Sequence, residues 1–110
     1  MPPLVSVVVT AYNHGRYIQE TLRSVFAQTY PNFEVIVVDD GSVDGTAEIA
    51  KSYQEVRYIY QANQGHGRAK NAGLAAAPGE FIAFLDADDL WAPHKLSAQI
   101  GYLLDHPDIP

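Results

Sequence analysis

Three carboxylates fall within four positions at Asp86-Ala87-Asp88-Asp89, directly after the apolar run Phe81-Ile82-Ala83-Phe84-Leu85. Like charges this close repel unless a cation, hydrogen-bond donors or water absorb the charge. Oxygen ligands at a rigid strand end suit Mg²⁺ or Mn²⁺, which bind through one or two carboxylates with substrate phosphates completing the shell. The plainer alternative is an acidic loop that caps the next helix, because Asp is also favoured near helix N-termini. A second acidic pair, Asp39-Asp40-Gly41-Ser42, follows the run Phe33–Val38. A carboxylate there could accept an N–H from a base and reject an analogue lacking it. Alternatively Asp40-Gly41 is a turn, with Ser42 or Asp44 capping a helix and Asp39 the structural member of the pair. Tyr12, within Thr10-Ala11-Tyr12-Asn13, offers an aromatic face for a planar base, or simply packs half-buried.

The loop Asn63-Gln64-Gly65-His66-Gly67-Arg68 has the parts of a phosphate cradle: a glycine pair, the start of a helix and one arginine. Arg68 and Asn71 face a crevice if that helix starts near Gly67, and are surface residues otherwise. No G-x-x-x-x-G-K-[ST] is present and no G-x-G-x-x-G follows the first strand, which weighs against Walker and dinucleotide sites. His66 could ligate a metal or act as a base, but a histidine in a glycine loop is more often solvated. His14, His94 and His106 receive the same plain reading. No histidine pair at fixed spacing supports zinc.

The elements that must position these residues follow from periodicity. Leu4–Thr10 is a valine-rich buried strand, Phe33–Val38 a second, Val56–Tyr60 a third nearer an edge, and Phe81–Leu85 a fourth that reads as buried on both faces. Between them, Tyr17, Ile18, Leu22, Val25 and Phe26 recur at helical spacing up to a stop at Pro31. Asp44 starts a short helix with Ala47, Ile49, Ala50 and Tyr53 on its apolar side. Arg68–Ala77 is a helix of small residues, with Ala69, Ala72, Gly73 and Ala76 allowing close approach to a sheet. Pro93 opens a last helix carrying Leu96, Ile100, Leu103 and Leu104, with Trp91 as a packing anchor.

Strands alternating with helices imply right-handed βαβ units: an α/β, Rossmann-like three-layer α/β/α domain with a parallel four-stranded sheet in order 3-2-1-4. In such a sheet the ligand crevice opens at the carboxyl ends of the strands where the order reverses. Thr10-Ala11-Tyr12-Asn13 forms one lip, Asp86-Ala87-Asp88-Asp89 the other, and Asp39-Asp40 closes the neighbouring side. This convergence favours a ligand site over a capping loop.

A chain of 110 residues suits one domain, and 47% hydrophobic with 18% charged residues describes an ordinary globular protein. The formal net charge of -6, with no basic cluster, argues against a nucleic-acid surface, so nucleotide phosphates must be held by a metal or backbone groups. Cysteine is absent, which suits a reducing cytoplasm. No signal peptide or membrane-spanning run is visible, although a longer parent protein could be membrane-associated.

Taken together, VSVVVTAYN (Val5–Asn13), FAQTY (Phe26–Tyr30), FEVIVVDDGSVDGT (Phe33–Thr46), Asn63-Gln64-Gly65, RAKNAG (Arg68–Gly73) and GEFIAFLDADDLW (Gly79–Trp91) resemble the nucleotide-binding half of family 2 glycosyltransferases. The resemblance runs from Val5 to about Lys95 with the motifs in the family's order. It implies a GT-A fold and inverting sugar transfer from a nucleotide-diphosphate sugar, a UDP-sugar in particular, to an unknown acceptor. Thr10, Tyr12 and Asp40 match positions that hold the nucleoside, with Asp40 facing the base. Asp86 and Asp88 match the DxD motif: Asp86 near the ribose or metal, Asp88 a ligand of Mn²⁺ or Mg²⁺ on the diphosphate. Arg68 matches a basic position near the donor. Most members carry proline where this chain has Thr10-Ala11.

The family's general base and acceptor pocket lie beyond the DxD strand, and His106–Pro110 stands where the next strand would begin. The expectation is therefore a donor-binding half over 1–110 that lacks the base and is inactive alone. Its uncovered sheet edge beside strand four would favour self-association. The competing reading is a receiver-like regulatory domain binding Mg²⁺; it wants paired Asp after the first strand and a Lys after a fifth, and neither is present. A third reading, a purely structural piece with a vestigial site, fits the intact acidic set poorly.

Overall fold

The structure, a computed structural model, describes residues 2–106. The readings placed on Met1 and on Pro107–Pro110 lie outside the described residues. The element order is β1 (Val5–Ala11), α1 (Ile18–Phe26), β2 (Phe33–Asp40), α2 (Thr46–Lys51), β3 (Val56–Gln61), α3 (His66–Ala76), β4 (Phe81–Asp86) and α4 (Lys95–Asp105). The strands form one sheet in order β3-β2-β1-β4, every pair parallel. This is the order expected from the sequence.

The valines of β1 and β2 are fully buried because both strands are central and covered on both faces. Alternation sends Val5, Val7, Val9 and Ala11 into one layer, where Val35, Val37, Ile18, Leu22, Val25, Ala50, Leu96 and Ile100 meet them. Three helices, α1, α2 and α4, thus share one face. Val8, Ile36 and Val38 point the other way, onto Ala69 of α3. A single helix covers that face, and it lies very close. A Cβ on Gly73 would meet Val8 Cγ1 at 2.3 Å and Val38 Cγ2 at 3.3 Å, so only glycine fits.

Four expectations need correction. β4 is not buried on both faces: Phe84 is 42% exposed and only Leu85 is buried within it, because β4 pairs with β1 alone and forms a sheet edge. Tyr17 and Leu104 leave their helices' apolar stripes and are exposed. Helix α1 ends at Phe26, ahead of Pro31, and just beyond it the side chain of Gln28 bonds to a distant segment. Its Nε2 donates to Ala92 O at 2.7 Å and its Oε1 accepts from Leu96 N at 3.0 Å, tying the FAQTY segment to the start of α4. Pro93 sits just ahead of α4 rather than inside its first turn.

Candidate functional site

The same alternation that builds the two layers sorts the polar residues. Asp39 points into the three-helix layer and is fully buried, while Thr10, Asp40 and Asp86 point towards the α3 side. Thr10 is the register partner of Asp86, and its Oγ1 donates to Asp86 Oδ1 at 3.2 Å. The carboxyl ends of β1, β2 and β4 therefore open into one cavity of about 310 Å³. Its lining comprises Thr10, Ala11, Tyr12, His14, Asp40, Asn63, Gly65, His66, Ala69, Asp86 and Asp88.

Asp40 forms the back of this cavity, and the loop before α3 folds around its carboxylate. Oδ1 accepts from Gln61 Nε2 at 2.7 Å and Gln64 N at 2.8 Å. Oδ2 accepts from Gly65 N at 3.0 Å and, more distantly, Asn63 Nδ2 at 3.5 Å. Burial alone would push this carboxyl up. The Gln61 amide, the two backbone N–H groups and nearby His66 outweigh it and hold Asp40 below the usual carboxylate range. The close wrap needs Gly41, whose φ of +85° is left-handed and whose added Cβ would meet Asn63 N at 2.7 Å.

Asp39 works on the other face. Its Oδ1 accepts from Ser42 N at 2.8 Å and its Oδ2 from Tyr58 Oη at 2.6 Å. Burial, the Asp39 bond and the Asp39 charge raise the Tyr58 phenol far above its ordinary value, so it remains a donor. Of the two acids after β2, Asp39 is thus the structural one and Asp40 the one lining the cavity, as read from the sequence.

At the opposite lip, one carboxylate oxygen from each of Asp86, Asp88 and Asp89 lies within 4.8 Å of the others. Three hard oxygen donors at that spacing fit a divalent cation such as Mg²⁺ or Mn²⁺ after small side-chain adjustment. Two histidines flank the cluster. His66 Nε2 is 3.3 Å from Asp86 Oδ1, and His14 Nε2 is 4.0 Å from Asp88 Oδ2. His14 Nδ1 accepts the Tyr12 N–H at 3.1 Å, which leaves Nε2 as its protonated nitrogen.

Thr10, Ala11, Tyr12, Asp40, Asp86 and Asp88 thus line one cavity; Asn13, Arg68 and Ala87 do not. Ala87 is buried in the three-helix layer, its N–H donating to Thr10 O at 3.0 Å. Arg68 and Asn71 are exposed, because α3 turns Ala69 and Gly73 onto the sheet and carries its neighbours outward. Arg68 reaches only Gln64 Oε1, at 3.4 Å. His14 and His66 are the lining residues that the plain reading of the sequence set aside; their positions one turn from Tyr12 and beside Gly65 were the available signal.

Against known proteins, residues 6–109 match the model of Glycosyl transferase family 2. An uncharacterized glycosyltransferase of Nostoc sp. is 50% identical over 97 residues, covering 84% of this chain and 30% of that protein. Staphylococcus aureus TarS 1–349 in complex with UDP-GlcNAc superposes with a TM-score of 0.88 at 35% identity, over 94% of this chain and 32% of that one. The mannosyltransferase PcManGT of Pyrobaculum calidifontis, in complex with GDP-Man and Mn²⁺, gives a TM-score of 0.86 at 33% identity, over 94% and 33% of the two chains. The chain therefore spans about a third of the length of these relatives. Among the described residues, no helix is long and apolar enough to cross a membrane. A family match over nearly the whole sequence, joined to a GT-A sheet with its acidic lip, does not favour the receiver-like alternative: the chain belongs to glycosyl transferase family 2.

Proposed function

We propose that the crevice binds a nucleotide-diphosphate sugar, a UDP-sugar in particular, together with Mn²⁺ or Mg²⁺, as the donor side of an inverting glycosyl transfer. The observation that carries this is the single cavity bounded by Tyr12, Asp40, Asp86 and Asp88. The similar structures, TarS in complex with UDP-GlcNAc and PcManGT in complex with GDP-Man and Mn²⁺, support it. Tyr12, 48% exposed at the rim, stacks on the base. Asp40 keeps its charge at neutral pH and accepts the imide N–H. Asp88, with Asp86, holds the cation at the diphosphate, and Thr10 Oγ1 fixes the rotamer of Asp86. When bound, such a cation stabilises the negative charge that grows on the leaving diphosphate.

Inverting transfer also needs a base opposite the leaving group. Both cavity histidines face Asp86 and Asp88, and the cluster carboxylates lie on the side assigned to the cation. We assign the base and the acceptor pocket to residues outside those described. The outer edge of β4 is where that second half, or in its place a second copy of this chain, would pack. Calorimetric titration with UDP tests the reading. Micromolar to millimolar binding is expected with Mn²⁺ and none with EDTA or in Asp88→Ala. Binding that ignores the metal, or no binding at all, would sink it.

A further inference from the structure

Asn13 and Ser42 do not line the cavity, yet they join the segments that carry Tyr12 and Asp40. Asn13 has φ 55°, the sole left-handed non-glycine residue described. Its N–H donates to Ser42 Oγ at 2.8 Å, and its Oδ1 accepts from Val43 N at 2.9 Å. Gly15 N adds a bond to Asp44 Oδ2 at 3.0 Å. Ser42 is itself pinned by its N–H to the fully buried Asp39, which Tyr58 holds from the other side. A continuous chain of bonds thus runs from the interior of the sheet through Asp39 and Ser42 to Asn13. Each end of it adjoins a cavity residue: Tyr12 precedes Asn13, and Asp40 follows Asp39.

We propose that Asn13 and Ser42 are positioning residues that set the separation between the Tyr12 ring and the Asp40 carboxylate, and so act on nucleoside recognition without touching the ligand. A left-handed non-glycine residue is uncommon and asparagine tolerates it better than most; here its side chain also satisfies the loop that its backbone turn brings near. This inference rests on the nucleotide-sugar reading above and adds to it. The device acts chiefly on the base side: Asp86 and Asp88 share none of these bonds, and the acidic lip meets this loop through His14, 4.0 Å from Asp88, and through the Thr10–Asp86 bond.

The test compares two probes on the 110-residue chain: UDP with Mn²⁺, and pyrophosphate with Mn²⁺. Ser42→Ala is expected to weaken UDP about fivefold, the net worth of one hydrogen bond, and to leave pyrophosphate unchanged. Ser42→Thr, which restores the hydroxyl, should recover UDP affinity. Should Ser42→Ala fail to fold, Asn13→Gly keeps the left-handed backbone, deletes Oδ1 and should show the same one-sided loss. Unchanged UDP affinity, or equal loss for both probes, overturns the positioning role while leaving the nucleotide reading intact. A wild-type chain that takes pyrophosphate but not UDP overturns both.

Discussion

Replacing Asp40 by Asn tests the wrapped carboxylate directly. If the amide oxygen takes the place of Oδ1, the bonds from Gln61 and Gln64 survive. The amide NH₂ then faces Gly65 N, a 3.0 Å bond is lost and two donors confront each other. A hydrogen bond to a charged group is worth ~1.5–3 kcal/mol, so a loss of about 2 kcal/mol at neutral pH is expected. For a domain of this size that lowers the melting temperature by roughly 8–16 °C. The pH dependence supplies a second check. Asp40 is held below its ordinary value of 3.8, so its stabilisation is complete above that value and is lost as pH falls through the depressed one. The gap between wild type and Asp40→Asn should therefore be full at neutral pH and narrow in acid, as the wild-type carboxylate protonates. Urea denaturation across that range measures it. A gap that stays constant with pH, or no gap at neutral pH, would refute the claim that these donors read the charge.

Three further outcomes follow from the packing and the site. Gly73→Ala gains ~1 kcal/mol of helix propensity but forces a 2.3 Å contact on Val8, and overpacking of this kind costs ~1–3 kcal/mol; thermal melts should show net destabilisation, and a rise in melting temperature would contradict the packing. Tyr58→Phe removes one of two donors to a buried carboxylate and should cost ~1.5–3 kcal/mol in urea denaturation, with no change in Mn²⁺ binding. Chelation by EDTA should abolish UDP retention while leaving far-UV circular dichroism unchanged, because no element of the fold depends on the acidic lip.

Much of this was legible in the sequence because the valine runs of β1 and β2 admit only central strands, and right-handed crossovers then leave few strand orders. The gathering of Tyr12, Asp40, Asp86 and Asp88 at the reversal followed from that order. What was illegible depended on tertiary neighbours. The run FIAFL looks buried on both faces, yet burial is decided by what lies beside a strand, and β4 pairs only with β1. The exposure of Arg68 and Asn71 hinges on the rotational phase of α3, which the close seat of Gly73 sets. Asn13 was expected at the crevice lip because it follows Tyr12, and its part in bracing the neighbouring loop was not expected. Its left-handed backbone, invisible to composition, turns it onto Ser42.

The two-residue period of the strands has a bearing on how such a chain can vary. Thr10, Asp40 and Asp86 sit one step out of phase with Ala11, Asp39 and Ala87, which anchor the opposite layer. Substitutions among α1, α2 and α4 can accumulate on their own side without reaching the ligand. An insertion of one residue within β1, β2 or β4, in contrast, would exchange anchors for ligands in a single event. Length changes among relatives should therefore be confined to the loops, however far the helical layer drifts.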